Sequence, residues 1–318
     1  MITFLNKFFT KFKKNSSLDL AFKKLKKEEC IKKIFKSIES HSDISEIRYV
    51  GGCIRKIINN EKVDDIDLAV NLEPNQVIIA LKKNDIRYYE TGIEHGTITA
   101  IINNYKFEIT SLRKDILTDG RHAKVEFFGN WLEDASRRDF SINAIYADID
   151  GNLFDPFNGK KDLESGEVKF IGDAEKRINE DYLRILRYLR FYLNYSKTKH
   201  NPNVVRVIKK NLDGVSKISS ERLLDEFKKL LKSRGFLNLP RDQFSCEIIK
   251  LIFPQFKNIN IFKNLNNYAK KNIFNVDFII LISLMIVEDS DNVDYFLFKF
   301  NLSNKEKKKI LFLKRSFS

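Results

Sequence analysis

The sequence predicts an α+β protein, with a mixed α/β head in the first half and an all-helical rear half. Three observations lead there. Between Ile47 and Leu112, short runs rich in β-branched residues alternate with helical patterns. After about residue 173 strand signals vanish and apolar residues recur at helical spacing. The length of 318 residues exceeds the ~250 at which single cores stop growing, so two or more domains are expected.

The elements follow in order. Met1 to Ser16 is basic, with Phe4, Leu5, Phe8, Phe9 and Phe12 on a rough helical period. It lacks the apolar run and cleavage pattern of a secretory signal and reads as a frayed or locally docked helix. Leu18 to Glu39 is helical, with Leu20, Ile31, Ile34 and Ile38 as apolar points. Strands are predicted at Ile47–Val50, Ile66–Val70, Thr97–Ile102 and Lys106–Ser111, the last two joined by a turn at Asn103-Asn104-Tyr105. Pro74 after Glu73 opens a helix at its first position. Residues 113–130 are charge-rich and aperiodic, with Gly120 and Gly129, and read as a mobile loop. Asp150-Gly151 is a hairpin turn between Ile145–Asp148 and Asn152–Phe154. Helices are expected over 173–195, 203–211, 219–232, 243–252, 276–287, 292–300 and 303–315. The chain shows no internal repeat.

Composition narrows the function classes. Lys plus Arg is 57 against 43 Asp plus Glu, a net charge of +14. That excess favours an anionic partner. A Lys-rich surface from an AT-rich genome gives the same number, and charge alone does not separate the two. No apolar run approaches the ~20 residues of a membrane span; Phe278 to Val287 reads as a buried helix. Cys30, Cys53 and Cys246 are odd in number and far apart. They argue against a disulfide framework or Cys-based zinc site and fit a reducing cytosol.

Chemistry concentrates in two segments. Tyr49-Val50-Gly51-Gly52-Cys53-Ile54-Arg55-Lys56 is a strand ending in two glycines and a helix start, where a backbone can approach a phosphate closely. An ordinary turn has the same pattern. Next, Asp64-Asp65-Ile66-Asp67-Leu68 places Asp65 and Asp67 on one face of a strand, with Ile66 and Leu68 on the other. Paired carboxylates repel without a cation, and a pair of Mg²⁺ ions would resolve that and clamp a triphosphate for in-line, two-metal displacement. An acidic strand edge that deters pairing is the plain alternative. Glu108, between Phe107 and Ile109, is either a third acid of such a site or a solvent-facing strand residue.

These residues carry a resemblance. Gly51-Gly52-x-x-Arg55 followed by Asp65-x-Asp67 resembles motif A of the class II tRNA nucleotidyltransferases and bacterial poly(A) polymerases, members of the DNA polymerase beta-type superfamily. Further motifs follow in order. Thr91 to Thr97 resembles a head-domain strand of CCA-adding enzymes. Arg137-Arg138-Asp139-Phe140-Ser141-Ile142-Asn143-Ala144 is similar to motif B. Phe154 to Gly159 with Asp162-Leu163 is similar to motif C, the head–neck hinge. Arg177 to Phe191 resembles motif D, and Ile218 to Leu224 motif E. The resemblance covers about 46–232.

The resemblance implies a mixed-sheet nucleotidyltransferase head followed by helical neck, body and short tail. The expected domains are a basic helical segment over 1–45, a head over 46–160, a neck over 161–235 and a tRNA-binding body over 236–318. Asp65, Asp67 and Glu108 are the implied catalytic residues, with Asp65 and Asp67 holding Mg²⁺. Gly51, Gly52, Arg55, Arg137, Arg138, Asp139 and Asn143 are the implied nucleotide contacts of the head. Asp181 and Arg184 would read the Watson–Crick edge of CTP or ATP, with Arg187 and Arg190 on base or triphosphate. On one continuous helix, these four would run at i, i+3, i+6 and i+9. The implied activity is template-independent addition of CCA to tRNA 3′ ends in the cytoplasm, by an enzyme of alphaproteobacterial-like type. The alternatives are poly(A) polymerase and a non-catalytic RNA binder on the same scaffold. Three positions depart from the pattern: Lys56 stands where Asp is usual, Asn158 where a hinge Gly is common, and His122 at a loop position that is often Arg.

Overall fold

The computed structural model describes residues 16–317 except 64, 104, 120–121, 128 and 289–290. The helix expected at Met1 to Ser16 lies, but for Ser16, outside the described residues, as does Asn104 of the expected turn. The chain divides into two compact units, 1–165 with 169–173, and 166–168 with 174–318.

The first unit runs α1 (Ser16–Lys27), α2 (Glu29–Glu39), β1 (Ile47–Val50), α3 (Gly52–Ile58), β2 (Ile66–Val70), α4 (Pro74–Lys83), β3 (Arg87–Gly92), β4 (Thr97–Ile102), β5 (Tyr105–Ser111), β6 (Arg113–Asp119), β7 (His122–Phe127), α5 (Trp131–Ser136), β8 (Tyr146–Ala147), β9 (Leu153–Phe154) and α6 (Gly159–Ser165). Seven strands form one sheet in the order β3-β4-β5-β2-β1-β8-β9. β2 and β5 are parallel, while the other pairs are antiparallel. The local causes are plain. α4 starts at Pro74 behind a Glu73–Gln76 capping box. α2 buries Ile31, Ile34, Phe35 and Ile38, one helical stripe.

Strand alternation sends Leu68, Val70, Ile98, Ala100, Phe107 and Ile109 into a large core with α1, α2, α3 and α4. The opposite face carries a smaller core of Val50, Ala69, Leu112, Ala135, Ala144, Tyr146 and Ile171, packed by Trp131 and Phe154. Asp67 shares that face with Ala69, two residues on.

Two expectations in this unit are corrected. The single helix over Leu18 to Glu39 is two, interrupted at Glu28, whose backbone is extended. The loop expected over 113–130 contains the β6–β7 hairpin, registered from Arg113↔Phe127 to Asp119↔His122. Charges scattered through both strands hide the alternation of apolar residues. The Gly-x pair between Asp119 and His122 is the turn signal that reveals it.

The second unit comprises α7 (Ala174–Glu180), α8 (Leu183–Tyr195), α9 (Pro202–Lys210), α10 (Ser220–Leu231), α11 (Gln243–Ile252), α12 (Asn267–Asn272), α13 (Phe278–Ile286), α14 (Asn292–Lys299) and α15 (Asn304–Phe317), with short 3₁₀ segments between some of them. No strand occurs among its described residues. Asn201, Ser219, Asp242 and Asp277 cap α9, α10, α11 and α13 with side-chain hydrogen bonds. The core is aromatic: Phe227, Phe253, Phe256, Phe296 and Phe300 are linked ring to ring. The continuous helix expected over 173–195 breaks at Asp181 and Tyr182, between α7 and α8.

Candidate active site

The parallel pairing of β2 and β5 sets Asp67 directly beside Glu108. Leu68 and Ile109, next along each strand, point the other way and are fully buried, which fixes the two acids on the open face. Asp65, two residues before Asp67, joins them in a cavity of about 250 Å³. Its wall is formed by Gly52, Cys53 and Lys56 of α3, with Ile66 and Lys106 from the strands.

The glycine turn lies against Asp67. Gly51 has φ +67°, a conformation that favours glycine. A Cβ at Gly52 would lie 3.4 Å from Asp67 Oδ2. Burial, and then the neighbouring Glu108 charge, push the Asp67 carboxyl above its ordinary range; Arg55 and Arg138 pull against them. This uncompensated acidity is what a divalent cation relieves, and the oxygen-only donor set fits a hard cation. Among the described residues no group of three or more His, Cys, Asp or Glu could hold an ion alone. An ion here would therefore complete its shell with water and substrate oxygens, the common mode for Mg²⁺. Cys53 plays no ligand part: burial, with Asp67 adding, pushes its thiol to about 11.

Behind the cavity a hydrogen-bonded chain orders the motif B residues. Arg55 donates to Asn143 Oδ1. Asn143 Nδ2 donates to Asp139 Oδ1 at 2.6 Å, which also accepts the Phe140 N–H. Arg138 Nε and Nη2 donate to Asp134 at 3.2 and 3.0 Å, and Nε also reaches Tyr146 Oη at 2.8 Å. Arg137 holds the other Asp134 oxygen at 2.5 and 2.9 Å. Burial alone would raise the Asp134 carboxyl, but Arg138, Arg137 and the Tyr146 hydroxyl hold it well below the usual range. Sequence reasoning missed Asp134 and Tyr146. Asp134 was findable, because it stands three and four residues before the two arginines on a short helix.

The structure thus gathers Asp65, Asp67, Glu108, Gly51, Gly52, Arg55, Arg138, Asp139 and Asn143. Arg137 is tied to Asp134, with no contact to the three acids.

The remaining expected residues lie in the helical unit. Asp181 is not on the helix with the arginines. It precedes α8, where its carboxylate accepts the Leu183 N–H at 3.1 Å and Arg222 Nη2 of α10 at 2.7 Å. Arg184 pairs with Glu180 at 2.5 Å and donates to the Arg177 carbonyl at 2.7 Å. Arg190 donates to the buried Glu226 at 2.6 Å, with Arg187 at 3.9 Å from the same carboxylate. The backbone N–H of Arg184 donates to the Asp181 carbonyl at 3.0 Å, but the two side chains are held by other residues and not by each other.

The poly A polymerase head domain family matches residues 47–169, and the family described as the probable RNA and SrmB-binding site of polymerase A matches 201–259. The chain belongs to the poly(A) polymerase and CCA-adding enzyme family. Relatives in it include human mitochondrial CCA tRNA nucleotidyltransferase 1, 46% identical over 189 residues, 58% of this chain and 44% of the human one. The CCA-adding enzyme of Lactobacillus johnsonii is 38% identical over 58% of this chain and 46% of its own. That of Staphylococcus haemolyticus is 32% identical over 88% of this chain and 66% of its own. The chain thus spans about half the length of the first two relatives. A solved CCA-adding enzyme in apo form shares the fold with a TM-score of 0.71 at 20% identity, covering 95% of this chain and 74% of that one. The Thermotoga maritima CCA-adding enzyme complexed with tRNA superposes with a TM-score of 0.67 at 20% identity, over 95% and 72%. The family's head thus coincides with the unit that carries the carboxylates. No helix among the described residues is long and apolar enough to cross a membrane.

Proposed function

We propose that this chain adds C, C and A to the 3′ end of tRNA, using CTP and ATP and no nucleic-acid template. The observation that carries the proposal is the pairing of Asp67 with Glu108 on adjacent parallel strands, beside a Gly51-Gly52 turn that brings the backbone close to Asp67 and Arg55. In this reading the RNA 3′-hydroxyl attacks the α-phosphorus of the nucleotide, the bond to the β-phosphate breaks and pyrophosphate leaves. Asp65 and Asp67 would hold the divalent cation, Mg²⁺ in this reading, which when bound supplies Lewis-acid stabilisation of the phosphoryl oxygens. Glu108 completes the acidic face. Arg55, oriented by Asn143 and Asp139, and Arg138, oriented by Asp134 and Tyr146, present fixed donors to the phosphates. Arg137 steadies Asp134 from the other side.

Base choice belongs to the helical unit. C and A both offer an exocyclic amine beside a ring-nitrogen acceptor, so one carboxylate and one guanidinium accept both and reject U and G. Asp181, held by Arg222, and Arg184, held by Glu180, are the proposed pair. Arg187 would contact base or triphosphate. Arg190, drawn onto buried Glu226, would act on it through Arg187. The basic helices would grip tRNA by its backbone, and the cytoplasm is the proposed compartment. The names of the relatives support this reading. The alphaproteobacterial-like affinity remains part of the proposal, resting on sequence resemblance.

The test is incubation with Mg²⁺, each labelled nucleotide and tRNA lacking its 3′ end. Incorporation of C, C, A and a stop is expected, and Asp67→Ala should abolish it while RNA binding persists. A long A tail on unrelated RNA would replace the proposal with poly(A) polymerase, and no incorporation would leave an RNA binder.

A further inference from the structure

The first unit is electrically divided. Residues 16–40, which form α1 and α2, hold seven Lys against four acids, while residues 41–173 hold 17 Lys and Arg against 24 acids. On α1, Leu20, Lys23, Lys24 and Lys27 stand at i, i+3, i+4 and i+7, and all four are exposed. On α2, Lys32, Lys33 and Lys36 are exposed within one turn. Leu18 and Phe22 of α1, and Ile31, Ile34 and Ile38 of α2, turn the other way, into the core shared with Leu68 and Ile109. The two helices thus cover the sheet face opposite Asp67 and Glu108, and their lysines point outwards from it. We propose that α1 and α2 form a second RNA-binding surface, which grips the phosphate backbone away from the catalytic cavity. The positive surface stands apart from the proposed function; the choice of RNA as its polyanion rests on that reading.

Three plainer roles leave the surface unexplained. Among the described residues, ion pairs engage Lys26, with Asp150, and Lys32, with Glu29 at 2.6 Å, whereas Lys23, Lys24, Lys27, Lys33 and Lys36 meet no acid. Residues 1–15 contain no acid to supply one. The helix dipole favours Lys24, Lys26 and Lys27 in the last turn of α1 and Lys36 in that of α2, but it does not favour Lys23, Lys32 or Lys33. A general Lys bias of the chain gives an even density, yet residues 16–40 carry seven Lys in 25 positions and residues 41–173 carry ten in 133.

The chemistry of the surface selects its partner. Leu20, at 54% exposure, is the one large apolar side chain that these two helices turn outwards. A helix that lies in a membrane surface needs a broad apolar face for the acyl chains, and here that face is spent on the core. A nucleic-acid backbone offers closely and regularly spaced phosphates. Lysines meet these as point charges, without reading bases. Because the carboxylates lie on the other face of the sheet, the RNA segment held here is remote from the reacting 3′-hydroxyl.

The experiment compares the full chain with three variants, in which Lys23, Lys24, Lys27, Lys33 and Lys36 are all changed to Gln, all to Glu or all to Arg. Binding of tRNA lacking its 3′ end is followed by fluorescence anisotropy between about 50 and 200 mM salt, incorporation is measured at saturating RNA, and binding to phosphatidylserine vesicles by sedimentation. The Gln variant should lose about 100-fold in RNA affinity at about 50 mM salt, and its log–log salt slope should fall by about 2 to 3, as about three phosphate contacts are lost. The Glu variant should lose more, and the Arg variant should keep the wild-type affinity. The kcat and the melting temperature should not change. Unchanged affinity and slope in both the Gln and Glu variants overturn the surface and leave the proposed function standing. So does an affinity loss that tracks a fall in melting temperature and that Arg fails to restore. Loss of vesicle binding with RNA affinity untouched also overturns it, and reassigns the lysines to a membrane. Lysine-dependent RNA binding by a wild-type chain that incorporates no nucleotide upholds the surface and removes the transferase reading.

Discussion

At Asp67 the proposed function and stability oppose each other. Burial and the Glu108 charge raise its carboxyl in the folded state. The folded protein therefore holds that proton more tightly than the unfolded chain does. The resulting penalty is absent below the ordinary Asp range near pH 4, grows as pH rises through the raised value, and is complete above it. Asp67→Asn should accordingly raise the melting temperature by about 2 °C at pH 7.5, with no gain near pH 3.5, while abolishing incorporation. Thermal scans at the two pH values check the sign; an equal shift at both would mean that charge is not the cause. Asp134 is the converse case. Two guanidiniums and the Tyr146 hydroxyl converge on it at 1% exposure. Its lowered carboxyl contributes stability that is present above the ordinary Asp range and lost as pH falls well below it. Asp134→Ala leaves two buried cations uncompensated and should cost about 3–5 kcal/mol in urea unfolding. A loss under 1 kcal/mol would show that the arginines find water instead.

Among the elements, the turn into α6 shows why a local pattern reads as it does. Asn158 adopts φ +56°, the left-handed region that glycine enters freely and that Asn tolerates best among other residues. A hinge Gly can thus be replaced by Asn without reshaping the turn. Asp155 caps α6, accepting the Gly159 and Lys160 N–H groups at 2.7 and 2.9 Å. Gly159 is required for another reason: a Cβ there would sit 2.1 Å from the carbonyl oxygen of Ser141, within the Arg137–Ala144 segment. Gly159→Ala should therefore destabilise the first unit by about 2–4 kcal/mol, whereas Asn158→Gly should stay within about 1 kcal/mol. Denaturant midpoints distinguish the two, and equal effects would refute the steric account. Strands β1, β2 and β4 follow directly from β-branched runs. The β6–β7 hairpin does not, because its charges break the two-residue alternation. The break at Asp181 does not either, since the apolar stripe Leu183, Leu186, Leu189 and Leu193 shows no end of helix.

Over the whole molecule the charge is unevenly shared. Residues 174–318 hold 29 Lys and Arg against 15 Asp and Glu, the full +14, while residues 1–173 balance at 28 against 28. Lys itself is spread evenly, 21 in the first part and 20 in the second, so the asymmetry comes from the acids, 28 against 15. The scarcity of acids leaves the helical unit net positive, in keeping with the proposed tRNA partner. Affinity for tRNA lacking its 3′ end should drop about 10³- to 10⁵-fold between 50 and 200 mM salt. Lys305, Lys308 and Arg315 are exposed along one face of α15. Changing all three to Gln should reduce the log–log salt slope by about 2 to 3. An unreduced slope would remove that face from the RNA surface.

The chain order and spacing of residues carry the α+β class, most strands, nearly every rear helix and the acid-bearing strand, because these depend on periods of two and 3.6 within single segments. Tertiary structure alone decided which acids meet. Asp67 and Glu108 are 41 positions apart, and only the parallel pairing of β2 with β5 makes them neighbours. It also decided that Lys56 and Lys106 share their cavity, that Asp134 gathers both motif B arginines, and that the Asp181 carboxylate pairs with the Arg222 side chain and not with that of Arg184. Contacts between distant segments follow from strand register and helix packing, and no period within one segment encodes them.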